Sequence, residues 1–157
     1  MKTLRLTAKD FKETNFYWKE YIGTEDVSDY DGNIEIEANL GYVRFDSLKA
    51  KGYIIAKSGS GIKAGNGIEA GDGIEAGNGI EAGLSITCKL SLNIACRIFA
   101  GLALWKETVT DEEKTITCGK LEHGEICYGI LKETGMPDEK KNPAEIVIDG
   151  AVYVLKS

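Results

Sequence analysis

The residues that could carry acid–base or nucleophilic chemistry are few in this chain and lie far apart. The single histidine, His123, stands in a Glu122-His123-Gly124 segment that is predicted to be a turn, with no serine, cysteine or aspartate arranged near it for catalysis. Four cysteines lack the CxxC spacing of zinc and redox sites: Cys88, Cys96, Cys118 and Cys127. We therefore predict that the cysteines stay reduced and pack as small hydrophobic residues.

The glycine-rich middle of the chain does not match the motifs that hold nucleotides or calcium. Residues 65–71 read GNGIEAG, which is GxGxxxG instead of the GxGxxG of dinucleotide-binding folds, and no GxxxxGKS or GxxxxGKT phosphate loop is present. Calcium-binding nonapeptide repeats need aspartates at fixed positions, whereas Asp72 stands alone between Asn66 and Asn78. The sequence therefore predicts no cofactor, no metal site and no enzymatic activity.

An aliphatic residue recurs at every sixth position of this segment, whose unit is Ile-Glu-Ala-Gly-Asn/Asp-Gly over residues 59–83. Because a flexible linker would not keep an aliphatic residue at a fixed period, the repeat predicts ordered structure. The period extends on both sides from residue 36 to about residue 106, with a shift of two residues at 58–61. Its members are Ile36, Tyr42, Leu48, Ile54, Ile62, Ile68, Ile74, Ile80, Ile86, Leu92, Ile98 and Leu104.

Each unit has the composition of a short strand followed by a tight corner. The position two after the aliphatic residue is small, as at Ala70 and Ala76, so both side chains face inward while the glutamate between them faces outward. The glycines that follow supply the corner, and three such units close a triangular coil of about 18 residues. The predicted stacks are Ile62 with Ile80 and Ile98, and Ile68 with Ile86 and Leu104.

The outward positions decide what surface the coils present. We predict that Glu69, Glu75 and Glu81 lie on three different faces, so the repeat forms no acidic stripe. Arg44 falls at an inward position, which predicts that the first coil is irregular or in a different phase. Four outward positions carry apolar side chains, which predicts cover by the terminal segments or by a partner: Val43, Ile55, Phe99 and Trp105.

The predicted fold is mainly all-β, a short hexapeptide-repeat β-helix between two flanking segments. Residues 1–31 are predicted to form an N-terminal cap, residues 32–106 the β-solenoid, and residues 107–157 a C-terminal β-strand module. The cap is expected to contain a helix over 8–22, which begins at a Thr7–Asp10 capping box and turns Phe11, Trp18 and Ile22 inward. The C-terminal module is expected to contain strands at 115–121 and 125–133 joined by the turn at 122–124, and a hairpin at Glu145–Leu155.

The charge of the 157-residue chain is acidic, with a net value of −6 and a pI near 4.9. This argues against a general binder of nucleic-acid phosphates, which would carry a basic surface. The opening MKTLRLTAKDFKE becomes charged at once, unlike a secretory signal, and no stretch reaches the ~20 apolar residues of a membrane helix. We therefore expect a cytoplasmic protein that contacts neither membrane nor nucleic acid directly.

The repeat string GNGIEAGDGIEAGNGIEAG resembles that of uncharacterised proteins of bacteriophages and mobile elements of Gram-positive bacteria. The segments CRIFAGLALW and TITCGKLEHGEICYGILKETG resemble the same group, so the resemblance covers roughly residues 30–135. Small acidic phage proteins without enzymatic motifs are often inhibitors of host defence, and anti-CRISPR proteins are among them. By this analogy we expect an inhibitor that binds a bacterial defence complex stoichiometrically inside the host cell.

Outward residues that break the polar pattern, together with an acidic loop, are the expected contacts with a protein partner, because aromatic residues are common interface anchors. These predicted binding residues are Phe99, Trp105, Asp111, Glu112 and Glu113. A terminal hairpin is also suited to pairing with a second copy, so a homodimer through Glu145–Leu155 is expected.

Two other functions share features with this sequence. Hexapeptide acyltransferases have the same six-residue period, but that family's catalysis implies a base, usually a histidine in or beside the solenoid, and residues 36–106 contain none. Bactofilins are self-assembling β-helical proteins with short glycine-rich repeats, and a structural scaffold of that kind is the alternative function. Their disordered tails differ from the long, patterned flanks of this chain. Fold alone does not decide between these functions.

Overall fold

Strands account for nearly all regular structure in a computed structural model that describes residues 1–136 and the backbone of 145–148 and 151–154. Within these residues the only helical segments are single 3-10 turns at Ala8–Asp10 and Glu112–Lys114. The strands are β1 (Thr3–Leu6), β2 (Phe11–Glu13), β3 (Trp18–Tyr21), β4 (Asn33–Ile36), β5 (Gly41–Phe45), β6 (Leu48–Ala50), β7 (Ile54–Ala56), β8 (Ser60–Ala64), β9 (Ile68–Ala70), β10 (Ile74–Ala76), β11 (Ile80–Ala82), β12 (Ile86–Cys88), β13 (Ser91–Phe99), β14 (Thr115–Cys118), β15 (Lys120–Tyr128), β16 (Ile130–Glu133), β17 (Glu145–Ile148) and β18 (Ala151–Val154).

Parallel strands stack in three rows, which gives an all-β, solenoid-like body as the sequence predicts. Row 1 contains β1, β4, β7, β10 and the first half of β13. Row 2 contains β3, β5, β8, β11 and the second half of β13, with β2 added antiparallel to β3. Row 3 contains β6, β9, β12, β14 and β16, while β15 follows β13 across rows 1 and 2.

The inward aliphatic residues form continuous ladders through the body. Ile80 pairs with Ile62 and Ile98, the residues eighteen before and eighteen after it, as predicted. Ile68 pairs with Ile86 as predicted, but the next residue of this ladder is Ile116. The prediction for Leu104 is therefore wrong, and this side chain is 98% exposed.

The break in the period has a structural cause, because the chain leaves the coil after β13 and returns at β14. Gly101 has a φ of +85°, which glycine adopts without strain, and here the backbone turns out of the coil. Parallel stacking does not end near residue 106 but continues to Glu133, with β14 between β12 and β16. Since β15 runs parallel to β13, residues 122–124 lie within a strand, and the predicted turn there is wrong.

The phase of β5 differs from the prediction by one residue. Val43 pairs with Ile62 and is buried, as is Phe45, whereas Tyr42 and Arg44 face outward. A shift of one residue moves every side chain of a strand to the opposite face. The predictions of an outward Val43 and an inward Tyr42 are therefore wrong, while the alternative of a different phase at Arg44 is correct.

The predicted helix over 8–22 is replaced by one 3-10 turn and two strands. The Thr7 backbone N–H donates to Asp10 Oδ2 at 2.8 Å, so the capping signal closes only a single turn. β2 and β3 then pair with each other, and β3 pairs with β5. Phe11 is buried as predicted, but Ile22 is exposed. Pairing with the edge of row 2 has overridden the local helical pattern.

Two cysteines continue the small inward position of row 3, where Ala50 and Ala70 precede Cys88. Cys88 and Cys118 are buried, and burial raises their pKa values to about 12 and about 11. These thiols stay protonated and pack as small apolar groups, as predicted. Cys96 and Cys127 are free thiols at the surface, so the prediction that they pack as small hydrophobic residues is wrong for these two.

The C-terminal segment contains the predicted hairpin. β17 and β18 pair antiparallel, with Glu145 opposite Val154 and Ile148 opposite Ala151. The predicted turn residues and Leu155 lie outside the described residues. Within the described part of the chain, no helix is long and apolar enough to cross a bilayer.

Substitutions at two adjacent residues, Ile74 and Glu75, should distinguish the inward side of a coil from its outward side. Ile74 is fully buried, so Ile74→Asp places an unpaired charge in the interior and should unfold the protein, at a cost of several kcal/mol. Glu75 faces solvent, and Glu75→Lys should change the free energy of unfolding by no more than about 0.5 kcal/mol. Circular dichroism and urea unfolding measure both, and equal effects would contradict this assignment of faces.

A polar network fixes Glu35 on the outward side of row 1. Its carboxylate accepts a hydrogen bond from the Tyr53 hydroxyl at 2.6 Å and lies 3.7 Å from Lys57 Nζ and 3.6 Å from Arg5 Nε. The Tyr53 hydrogen bond, followed by the charges of Lys57 and Arg5, lowers the pKa of Glu35 below its ordinary value. The folded state therefore favours the ionised carboxylate.

This network predicts acid sensitivity. Because the folded-state pKa of Glu35 is lowered, its contribution to stability is complete above the unfolded-state pKa of about 4.3 and is lost as the pH falls through the folded-state value. Glu35→Gln should therefore lower stability at pH 7 and reduce the loss between pH 7 and pH 3, measured by urea unfolding at both values. Glu75→Gln is the control, and the same pH dependence in both variants would contradict the prediction.

Candidate partner-binding face

The outward side of row 2 carries a concentration of aromatic residues that its neighbouring rows lack in the described chain. We define the aromatic face by Phe16, Tyr17, Trp18, Tyr42, Phe99 and Trp105. Phe16, Tyr17 and Trp105 are exposed, the last at 62%. Surface aromatic residues held in one place are the usual anchors of protein interfaces.

The loop between β2 and β3 brings the first aromatic residues onto this face. Thr14 donates its hydroxyl to the Trp18 carbonyl at 2.5 Å and accepts the Phe16 backbone N–H at 3.1 Å, which closes the loop. The Phe16 ring then stacks on the Trp18 indole, with centroids 4.6 Å apart and planes 11° apart. Both rings are thereby fixed before any partner binds.

Tyr17 fastens this loop to strands much later in the chain. Its ring packs edge-on against Tyr42 at 5.6 Å, and its hydroxyl donates to Glu81 Oε2 at 2.8 Å. Partial burial, followed by the hydrogen bond to Glu81, raises the pKa of Tyr17 above its ordinary value. The hydroxyl therefore stays protonated and keeps its role as the donor.

Tyr42 lies flat across two glycines of the repeat. A Cβ at Gly79 would come within 2.2 Å of the Tyr42 hydroxyl, and a Cβ at Gly61 within 2.9 Å of its ring. The equivalent glycine of row 3, Gly67, has no atom closer than 3.2 Å to such a Cβ. The small residues of row 2 thus make room for an aromatic side chain on the outer surface.

Charged residues between the aromatic rings largely compensate one another. Lys63 places its ammonium 5.0 Å from the Trp18 ring centroid and 5.5 Å from that of Tyr17, a cation–π arrangement. Arg44 Nη1 lies 3.2 Å from Glu20 and 3.1 Å from Asp46. The aromatic face is therefore apolar in its anchors and mixed in charge around them.

The excursion over residues 100–114 supplies the other wall of the face. The backbone N–H groups of Leu102 and Ala103 donate to the carbonyls of Ala82 and Gly83, at 3.1 and 2.9 Å. Trp105 Nε1 donates to the Gly65 carbonyl at 3.3 Å. A groove of about 460 Å³ lies between this loop and row 2, and Trp18 and Trp105 both line it.

The aromatic members of the predicted binding set lie on this face. Phe99 is half-buried and lies in β13, directly beside Glu81 of the neighbouring strand β11 in row 2. Trp105 is mostly exposed on the excursion. The structure brings these two residues to the same side of the body.

The acidic members of the predicted set, Asp111, Glu112 and Glu113, lie in and beside the second 3-10 turn. Asp111 pairs with Lys114 at 3.7 Å, and Glu113 pairs with Lys106, which lowers the pKa of Glu113. Lys106 also lies 5.8 Å from the Trp105 ring centroid. Two of the three acids thus form ion pairs within the excursion, while the binding role predicted for all three stays a prediction.

Sequence reasoning missed Phe16, Tyr17 and Trp18 as surface anchors, because the segment was interpreted as an inward-facing helix. The available signal was the run of three consecutive aromatic residues in a short polar segment. An amphipathic helix places consecutive side chains on different faces, so such a run fits a surface loop better.

His123 lies in β15, where its Nδ1 is 2.9 Å from the Ile94 carbonyl oxygen. Cys96 and Glu125 line the same shallow depression, which is open to solvent. Among the described residues, no group of three or more His, Cys, Asp or Glu side chains is close enough together to hold a metal ion.

Gly79→Ala should disturb the aromatic face without a change in the core. The added methyl group would collide with the Tyr42 hydroxyl, so the ring must move and Tyr17 loses its support. We expect a loss of about 1–3 kcal/mol in unfolding free energy and a weaker near-ultraviolet circular dichroism signal.

A Cβ at Gly79 would also meet the Arg97 backbone carbonyl oxygen at 2.9 Å. Gly73→Ala in row 1 is therefore the matched control, because its Cβ would meet the Ser91 carbonyl oxygen at the same 2.9 Å with no ring among its nearest atoms, and it should leave the near-ultraviolet signal unchanged. An unperturbed aromatic signal in Gly79→Ala would contradict the packing of Tyr42 described above.

Comparisons with known proteins assign no family to this chain. No family model matches it. A search of curated proteins and a search of solved structures each give no match. The aromatic face is therefore interpreted from its own residues and geometry.

Proposed function

We propose that this chain is a non-enzymatic protein-binding module that docks on its partner through the aromatic face. The observation that carries the proposal is the exposure of Trp105 and Tyr17 on a face whose rings are fixed by hydrogen bonds and stacking. Rigid aromatic side chains bury a large area at a small cost in conformational entropy. The groove between Trp18 and Trp105 would receive a side chain of the partner.

The scaffold in this proposal is a hexapeptide-repeat β-helix. Its support is the pairing of Ile80 with residues eighteen positions away on both sides, which equals three units of six per coil. Each coil pairs with the coil before it and the coil after it along all three rows, and these pairings restrict its movement. Such a body holds the aromatic face in a constant shape.

The proposed partner is a nucleic-acid-dependent bacterial defence complex, such as a CRISPR effector, and the proposed compartment is the cytoplasm of the host cell. Effectors of this type have positively charged channels for nucleic acid. A chain with a net charge of −6 would associate quickly with such a surface, and the resemblance to phage and mobile-element proteins points to the same setting. The chain would act by stoichiometric occupation of the effector.

We also propose that the chain forms a homodimer through the Glu145–Leu155 hairpin, whereas the alternative function, a self-assembling β-helical scaffold, would form indefinite polymers. The support for the homodimer is the β17–β18 pair, since a hairpin has unpaired edges that a second copy can extend. Light scattering on the full chain and on a version that ends at residue 141 tests it: a dimer that the truncation converts to a monomer is expected. Monomers in both cases would contradict self-association.

The binding proposal is tested with a panel of purified CRISPR effector complexes. We expect a stoichiometric complex with one effector and inhibition of its DNA cleavage. Trp105→Ala should weaken that affinity at least about tenfold, which corresponds to about 1.4 kcal/mol. Glu112→Ala, in the same excursion, is the matched control and should change it by less than about threefold, since exposed charges contribute little.

Two results would count against this function. Equal losses for Trp105→Ala and Glu112→Ala would contradict the aromatic face as the docking surface. Absence of binding and inhibition across the panel, together with large oligomers of the chain alone, would favour the scaffold.

A further inference from the structure

The last coil of the body has an uncovered apolar interior. Its inward aliphatic residues are Leu121, Ile126 and Leu131, each paired with a fully buried residue of the preceding coil. The small inward position after Leu131 is occupied by Glu133, whose Oε2 accepts the Leu121 backbone N–H at 2.9 Å at the rim of this end. Leu131 is 37% exposed, whereas Ile116, its partner in the ladder, is completely buried. Leu121 and Ile126 are only partly buried. Inward aliphatic positions thus lose their cover at this end.

The opposite end of the body does not show this defect. There the N-terminal segment and the chain leading to β4 cover the interior, and Leu6, Phe11, Val27 and Tyr30 are all buried in the core. Both ends of a solenoid expose strand edges and core residues unless another segment covers them. Residues 1–136 therefore cap one end, and they leave the other end, which we call the open end, without a cap.

The open end also has unpaired backbone edges. β16 is the terminal strand of row 3 and pairs only with β14 among the described strands, while β15 pairs only with β13. All four residues of β16 are exposed, including Ile130. An unpaired strand edge, such as the regular β16, can bind another strand.

We propose that the β17–β18 hairpin of the same chain packs on this open end as its cap. Among the described strands, only β17 and β18 pair with no strand of the body, and every residue of EIVI and AVYV except Glu145 is apolar. A two-stranded hairpin is at best marginally stable alone in water, so it requires a surface to pack on. The end formed by Leu121, Ile126 and Leu131 offers that surface.

The chain length allows the cap to form without a second copy. Residues 137–144 join the body to β17, and eight residues span at most about 27 Å when extended. A tethered segment experiences a local concentration in the millimolar range, which favours its own end over that of a free copy. If one strand of the hairpin packs on the open end, the edge of its other strand stays free, and a second copy could pair with that edge to form a homodimer.

Hydrogen exchange of the full-length chain tests this cap. In the wild type, the amides of Glu145–Ile148 and Ala151–Val154 should be protected. Leu131→Asp should raise their exchange rates by at least about tenfold, because a charge at the open end disfavours the packed hairpin. Lys132→Asp, one position along β16 and on its opposite face, is the matched control and should raise them by less than about threefold.

A reciprocal variant keeps the test informative if Leu131→Asp unfolds the last coil. Ile148 and Ala151 form the hydrogen-bonded pair nearest the turn, and such pairs alternate along an antiparallel ladder, so Tyr153 donates its backbone N–H across the hairpin.

Tyr153→Pro removes this donor and should raise exchange in Lys120–Tyr128 and Ile130–Glu133, while Ile62–Ala82 stays protected. Unprotected hairpin amides in the wild type, or no response of the coil to Tyr153→Pro, would overturn the proposal. Protection that appears only at concentrations where light scattering shows a dimer would overturn the same-chain arrangement. These outcomes are independent of binding at the aromatic face.

Discussion

The covering of each inward aliphatic side chain by its equivalent in the next coil is the constraint on which this structure depends. Ile74, for example, lies between Ile54 and Leu92 and is fully buried only because both neighbouring coils are present. A single coil could not exclude water from its own interior. The small residue two positions later follows from the same constraint, because three strands must meet in a narrow interior. Stability is thus a property of neighbouring coils, and the two ends are where it fails first.

This constraint leaves the outward positions free to carry function. On row 2 the repeat glycines Gly61 and Gly79 accommodate Tyr42, and Tyr42 in turn supports Tyr17. The excursion after β13 occupies a corner, where extra residues do not disturb the ladder from Ile86 to Ile116. Binding residues can therefore be added at corners and loops while the interior stays unchanged.

The sequence predicts what is periodic in this protein, and little of what is not. The six-residue period predicts two features correctly. One is the stack of Ile62, Ile80 and Ile98. The other is the placement of Glu69, Glu75 and Glu81 on three different rows. The burial of Val43 does not follow from this period, because a shift of one residue in β5 leaves no mark on composition. The aromatic face was only half anticipated: Phe99 and Trp105 break the repeat visibly, whereas Tyr17 acts through Glu81, 64 residues away.

The pairing of residues eighteen positions apart also has a kinetic consequence. Each new coil is closed by a short loop onto one already formed, so the entropy of loop closure is small at every step. Chains dominated by such contacts fold faster than β-proteins whose strands pair across the whole sequence. The Trp105 bond to Gly65 and the Tyr17 bond to Glu81, at separations of 40 and 64 residues, close much longer loops. The stack is thus expected to form first from its regular middle, and the aromatic surface to assemble on it afterwards.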